Sequence, residues 1–218
     1  RVLAMTTAAV MAVTSFAGCS SNNANSGNVG GSTNVAEGEK TIVIGGSGPL
    51  TGDAAQYGVG VKNAIQLAVN EVNAAGGVNG NKLKLVFEDD EADSGDKAVN
   101  AYNTLKDQGM QILLGTVTTG SCLAVVDKSK QDNIFQFTPS ASAQDVIAND
   151  NCFQICFTDP NQGKASADYI ADNKVATKIG VIYDSSDAYS SGIYNAFKAE
   201  ASAKGLELVS EQSFTKDS

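Results

Sequence analysis

The sequence predicts an α/β protein built on parallel sheets flanked by helices. Three observations lead there. From Thr41 onward, short β-rich runs alternate with longer runs whose apolar residues recur at three and four places. Glycines stand where several of these runs end, at Gly45-Gly46, Gly76-Gly77 and Gly109. A hydrophobic content of 42% against 18% charged is enough for one or two packed cores and excludes a disordered chain. Strict alternation makes each helix a crossover between strands, which leaves the strands parallel and covered.

The elements follow in order. Thr41-Ile42-Val43-Ile44 is a short strand expected to end at Gly45-Gly46. A loop leads to a helix in which Val61, Ile65, Ala68, Val72 and Ala75 form one apolar face, stopped by Gly76-Gly77. Lys82 to Phe87 is a strand followed by an acidic loop, and the next helix puts Ala98, Ala101, Tyr102 and Leu105 on one face. Gln111 to Leu114 is strand, Ser121 to Lys130 helix, Ile134 to Phe137 strand, and Ala143 to Ala148 a short helix. Cys152 to Phe157 is strand, Gln162 to Asp172 helix, Lys178 to Tyr183 strand and Ser190 to Lys204 helix. Leu206 to Val209 opens one more strand. The polar stretch from Glu211 to Ser218 contains no closing helix, so a fragment of a longer protein is expected.

Residues 2–18 carry no charge and follow Arg1, the pattern of an export signal; a retained membrane anchor is the alternative. Ala17-Gly18-Cys19 resembles the lipobox of bacterial lipoproteins, in which the cysteine is acylated and becomes the mature N-terminus. Phe16 departs from the aliphatic residue usual three places before that cysteine. With no methionine at the first position, the start of the signal is expected to precede Arg1. Ser20 to Lys40 is rich in Ser, Asn and Gly, the composition of a flexible tether. At about 5–6 Å times the square root of its length, it spans on the order of 25 Å.

Charge and residue usage exclude several functions. A net charge of -9 with no basic stripe argues against a nucleic-acid partner. The sequence has no histidine, which removes Ser-His-Asp and Cys-His nucleophile pairs and His-ligated metals. Carboxylates, lysines and tyrosines remain for catalysis, so a binder is favoured over an enzyme, and no cofactor or metal is expected. Cys152 and Cys156, four apart in a strand-like run, would sit roughly 13 Å apart and could not bond to each other. A bridge from Cys122 to either stays open.

Ligands of open parallel sheets lie beyond the carboxyl ends of the strands. Three loops stand there: Gly45 to Asp53 with Gln56-Tyr57-Gly58, Gly115 to Ser121, and Thr138 to Ser142. The last two set hydroxyl residues between a strand end and a helix start, where free amides and the helix dipole favour an anion. Plain helix capping is the competing explanation. The first loop reads G-x-G-x-x-x-G, one residue longer than a dinucleotide fingerprint, and no Gly-Lys-Ser/Thr triplet exists for a P-loop. In the acidic run Glu88 to Asp96, Gly95 falls one place late for an EF-hand and Asn100 stands where a bidentate acid is needed. Tyr57 and Tyr189 could each present a flat ring to a cleft or sit half-buried in a core.

Gly48-Pro49-Leu50-Thr51-Gly52-Asp53, Gln56-Tyr57-Gly58, Ala74-Ala75-Gly76-Gly77-Val78-Asn79-Gly80, Glu88-Asp89-Asp90, the Gly115 loop and Thr138-Pro139-Ser140-Ala141-Ser142 occur in an order and spacing that resembles the branched-chain amino-acid-binding protein family. The likeness continues through Phe157 to Gly163 and Tyr183-Asp184 to Tyr189. The resemblance implies a two-lobed type I periplasmic-binding-protein fold that serves an ABC importer. After the export signal (1–18) and the flexible, lipid-anchored linker (19–40), it divides the chain into an incomplete first ligand-binding lobe (41–157) and the truncated start of a second (158–218). It further implies that Thr119 and Ser142 bind the ligand's α-carboxylate, and that main-chain groups at Val117 and Ser140 face its ammonium. Thr118 and Ala141 lie in the same loops, and Tyr57 and Tyr189 line the side-chain pocket. The family more often has Ser and then Thr where this chain has Thr119 and Ser142. The acid for the ammonium lies in the family beyond Ser218, and the partner of its disulfide falls near Ala92. The implied partners are a free, branched-chain amino acid and a membrane permease. The implied state is a monomer held outside the cytoplasm by a lipid on Cys19. A signalling module of the same fold, sensing amino acids or small amides, is the alternative.

Overall fold

In a computed structural model, which describes residues 40–216, the alternation becomes two parallel sheets with helices between their strands. The export segment, Cys19 and the linker up to residue 39 lie outside the described residues. The elements are β1 (Thr41–Gly48), α1 (Ala55–Ala74), β2 (Lys82–Asp89), α2 (Asp96–Asp107), β3 (Ile112–Gly115), α3 (Thr119–Gln131) and β4 (Phe135–Thr138). A 3-10 turn (Gln144–Ile147), β5 (Cys152–Gln154), α4 (Asp159–Asp172), β6 (Lys178–Asp184), α5 (Ala188–Ala203) and β7 (Glu207–Phe214) complete them. One sheet has the order β2-β1-β3-β4-β5, and β6 pairs with β7 in the other. Every pairing is parallel.

Several boundaries differ from the sequence expectation, each for a physical reason. Strand β1 runs through its glycines to Gly48 instead of stopping at Gly45-Gly46. Neighbouring side chains occupy the space a Cβ would need: at Gly45 it would lie 2.2 Å from Met110 Sδ, and at Gly46 2.3 Å from Phe87 Cδ2. Glycine here admits large neighbours and does not break the strand. In α1 the buried residues are Gly58 and Val69, whereas Ala68 is exposed and Ala75 is already the C-cap. The helix does stop at Gly76-Gly77, whose φ values are +107° and +81°. Strand β5 ends at Gln154, so Ile155 to Phe157 are not strand and the extended-chain spacing assumed for Cys152 and Cys156 does not apply. Cys122, Cys152 and Cys156 are all free thiols, and burial pushes Cys122 up to about 12.

The core of the larger sheet forms where the α2 face predicted by spacing meets its neighbours. Ala98, Tyr102 and Leu105 cluster with Met110, Leu113 and Val125, and Val86 and Ile134 pack against them. Tyr102 donates its hydroxyl to Asp132 at 2.9 Å, so the ring is buried while its polar tip is satisfied. A smaller cluster of Cys122, Ala141 and Val146 sits under the carboxyl end of β4. The β6-β7 sheet has its own core of Ala167, Phe197, Ala201 and Leu206, joined by Ile179, Val181 and Leu208.

The strand order fixes where a ligand crevice opens. From β1 the chain turns outward to β2, then returns to the opposite side of β1 for β3 and continues outward to β4 and β5. The crossovers leaving the carboxyl ends of β1 and β3 therefore diverge, and the gap between them is the topological switch point of the sheet. The loops there begin at Pro49 and Thr116.

Candidate functional site

The two hydroxyl loops are built into one unit. Strand β3 ends at Gly115, and Thr116 to Thr118 lead to Thr119, the first residue of α3. Strand β4, its direct neighbour, ends at Thr138 and leads into Pro139 to Ser142. Three bonds tie the loops rung by rung. The Thr138 hydroxyl donates to the Thr116 carbonyl at 2.7 Å, and the Ser140 hydroxyl donates to the Val117 carbonyl at 2.6 Å. The Ser142 amide donates to Thr119 Oγ1 at 3.1 Å. A fourth bond, from the Ala141 amide to Thr138 Oγ1 at 3.1 Å, folds the second loop back on its strand.

This wiring decides what each group can offer. Because Thr119 Oγ1 accepts from Ser142, its own hydroxyl proton remains available to an acceptor. Thr118 is the N-cap residue of α3, yet no side chain caps that helix. The Thr118 hydroxyl donates to Ser121 Oγ at 3.0 Å, and the Ser121 hydroxyl donates to the Asp93 carbonyl at 2.8 Å. The hydroxyls of the loop are thus drawn away from the helix amides, which disposes of plain capping. An uncapped helix start with its dipole favours negative charge. Val117, Thr119, Ala141 and Ser142 are buried, Thr118 is half-buried, and Ser140 is exposed at the rim.

The first loop is tied to the acidic run. Asp89 accepts the Leu50 amide at 2.8 Å and the Thr51 hydroxyl at 2.7 Å, and it also caps the Glu91 amide at 2.9 Å. Desolvation raises its affinity for a proton, but these donors together outweigh it and hold Asp89 below the usual carboxylate range. Asp90 is fully buried and accepts from Ser47 Oγ at 2.8 Å; burial dominates there and pushes it up. These carboxylates serve as anchors for loop backbone, which explains an acidic stretch that lacks the EF-hand pattern.

Not every predicted site residue converges. Val117, Thr118, Thr119, Ser140, Ala141 and Ser142 form the paired loops. Tyr57 and Tyr189, in the first turns of α1 and α5, are 62% and 41% exposed. Among the described residues, no hydrogen bond or ring contact joins either to the loops; Tyr189 shares its hydroxyl with the Gln162 amide at 3.4 Å. A groove of about 680 Å³ runs along α4, lined by Phe157, Asn161, Gln162, Tyr169 and Ile170 among others. None of its lining residues belongs to the paired loops, so the groove is separate from them.

Sequence reasoning missed Asp159. It is the first residue of α4 and 1% exposed, and its amide donates to the Ser142 carbonyl at 2.8 Å. Among the described residues, neither carboxylate oxygen has a hydrogen-bond partner, nor does the Ser142 hydroxyl. Burial pushes Asp159 up, and the nearby Ser142 hydroxyl offsets this only in part. An acid followed by Pro160 looks in the sequence like an ordinary helix start. Only the tertiary fold, which lays α5 over it, turns it into a sealed carboxylate.

A parallel sheet of this order, with the loop after β3 at its switch point bonded to the loop after β4, has the architecture of two-lobed binding proteins with a type I periplasmic-binding fold. The chain belongs to the periplasmic binding protein family, whose model matches residues 41–217. It is similar to the Leu/Ile/Val-binding protein homolog 3 of Brucella melitensis, with 36% identity over 80% of this chain and 47% of that protein. It is 30% identical to a leucine-, isoleucine-, valine-, threonine-, and alanine-binding protein of Pseudomonas aeruginosa over 78% of this chain and 45% of the other. Among solved structures it resembles the branched-chain amino acid transporter substrate binding protein LivJ of Streptococcus pneumoniae, in complex with isoleucine. That match has a TM-score of 0.75 and 26% identity, and it covers 82% of this chain and 51% of that one. The chain thus spans about half the length of the relatives it matches.

Proposed function

We propose that the protein is the extracytoplasmic solute-binding component of an ABC importer, and that it binds a free, branched-chain amino acid between two lobes. The observation that carries this is the cross-bonded pair of loops at the ends of β3 and β4, with the uncapped start of α3 beside them. The names of the relatives support the ligand class. Thr119 and Ser142 hold the α-carboxylate, helped by the first amides of α3. Val117 and Ser140 present main-chain groups to the ammonium, while Thr118 and Ala141 shape the loops. Tyr57, from the first lobe (41–157), and Tyr189, from the second (158–218), cover the aliphatic side chain as the lobes close. No enzymatic step is required of these groups. The ligand bridges the lobes, so the closed form becomes the populated one and is what the permease recognises. The protein acts as a monomer, tethered to the membrane by a lipid on Cys19.

The test is a thermal-shift screen of the full-length protein, second lobe included, against amino acids, followed by calorimetry on variants. Leucine, isoleucine or valine should raise the melting temperature, because a ligand that binds only the native state stabilises it. Thr119→Val and Ser142→Ala each remove one hydrogen bond to a charged group. At about 1.5–3 kcal/mol per bond, each should weaken binding by roughly tenfold to a hundredfold. Unchanged affinity in both variants would reject the assignment of the loops.

A further inference from the structure

Helix α3 begins with a capping residue that does not cap. Thr118 stands at the N-cap with φ -96° and ψ 152°, the extended backbone from which a threonine oxygen ordinarily accepts the second or third helix amide. No such bond forms. The amides of Thr119, Gly120 and Ser121 have no partner within the helix, as in any first turn, and among the described residues they have none outside it. Beside them lies the buried Ser142 hydroxyl, also without a partner among the described residues, on a residue whose amide is bonded to Thr119 Oγ1.

The cause is Ser121, the third residue of the helix, where a capping box would carry Glu or Gln. A hydroxyl has one proton to give. The proton of the fully buried Ser121 goes to the Asp93 carbonyl at 2.8 Å, so toward Thr118 its oxygen can only accept, at 3.0 Å. Thr118 is thereby turned toward the side chain of Ser121 and away from the helix amides. The Asp93 carbonyl is itself fixed in place. The Asp93 amide donates to the Asp90 carbonyl at 2.9 Å, and the Asp93 carboxylate accepts the Gly95 and Lys97 amides at 3.0 and 2.9 Å. This loop presses on the helix start, since a Cβ on Gly120 would lie 2.9 Å from Ser94 Cβ.

We propose that Ser121, backed by the Asp93 carbonyl, is a positioning residue that withholds the Thr118 hydroxyl from the start of α3 and so keeps its amides open to the ligand's carboxylate. This rests on the reading of that helix start as part of the carboxylate site. The loop after β2 then takes part in binding without touching the ligand. Once the Ser121 hydroxyl is removed, Thr118 loses its acceptor, and its oxygen turns to cap α3 in competition with the ligand.

The experiment is calorimetry of the full-length protein, second lobe included, with L-leucine, L-isoleucine and L-valine. Ser121→Ala should weaken binding about fivefold, the factor that a typical helix cap is worth. Adding Thr118→Val to that variant removes the competing oxygen and keeps the side-chain shape, so most of the lost affinity should return. A merely structural Ser121 would show no such rescue. Ser121→Cys, close to serine in size but a weak acceptor, carries the same test if the alanine variant does not fold. Wild-type affinity in the Ser121 variant, or a loss that Thr118→Val does not recover, with Thr119→Val still weakening binding, would overturn this inference and leave the proposed function standing. Absence of binding by all three amino acids, or indifference to Thr119→Val and Ser142→Ala, would remove both.

Discussion

Ser140 was expected to serve through its backbone, yet its side chain carries a rung between the loops by donating to the Val117 carbonyl at 2.6 Å. Ser140→Ala should therefore cost about 1 kcal/mol of stability, the net value of one neutral hydrogen bond, and loosen ligand binding beyond that. Chemical denaturation and calorimetry on the same variant separate the two effects. Asp89 and Asp90, one residue apart, are shifted in opposite directions. Asp89 is depressed by its donors, so its stabilisation is present above its unfolded value and is lost as pH falls through the folded one. Asp90 is raised by burial, so the stability it contributes is present at low pH and is lost as pH rises from the unfolded value through the folded one. Melting temperature against pH should then show a weaker acid limb in Asp89→Asn and, above the ordinary carboxylate value, a flatter limb in Asp90→Asn. Identical profiles in the two variants would contradict the assigned environments.

At the scale of elements, period and punctuation carried most of the fold. The spacing of Ala98, Ala101, Tyr102 and Leu105 gave the buried face of α2 because a helix lying on a sheet buries one stripe. Spacing worked less well for α1, where Val69 is buried instead of Ala68, and it overextended β5, since an apolar run need not be a strand. Glycine was the least legible residue. At Gly45-Gly46 it admits the side chains of Met110 and Phe87, and nothing in a single sequence distinguishes that use from a strand end. The paired loops could be placed at strand ends from sequence, but their rungs could not, because each joins residues more than twenty places apart. Helices α4 and α5 supply the strongest element-level test. A Cβ on Gly163 would lie 2.3 Å from the Ile193 carbonyl oxygen and 2.7 Å from the Phe197 amide. Both are backbone atoms and cannot turn aside, so Gly163→Ala should push the helices apart. The expected loss is about 1–3 kcal/mol, read by thermal or denaturant unfolding. A wild-type midpoint would mean that the two helices do not pack this closely.

For the whole molecule, the decisive feature is which faces of the sheets are covered. Helix α5 covers one face of the β6-β7 pair, where Tyr183 stacks on Tyr194 with centroids 3.9 Å apart. The opposite face presents Ile182, 74% exposed, and Phe214, 46% exposed, on the side that register assigns to them. In the larger sheet, Phe135 and Phe153 stack at 5.2 Å on an equally open face. Parallel strands are ordinarily covered on both sides, and a two-stranded sheet is marginal alone. A polypeptide of residues 40–216 by itself is therefore expected to bind a hydrophobic dye and to self-associate, as contiguous exposed apolar faces do. Light scattering and dye fluorescence at increasing concentration measure this directly. Ile182→Lys and Phe153→Lys together should reduce both signals, since each puts a charge on one open face while leaving the covered cores untouched. The same polypeptide should show little or no melting shift with L-leucine, because a clamp needs groups on both sides of its ligand. A full shift with residues 40–216 alone would place all the binding energy in the paired loops and would rule out bridging between lobes as its source.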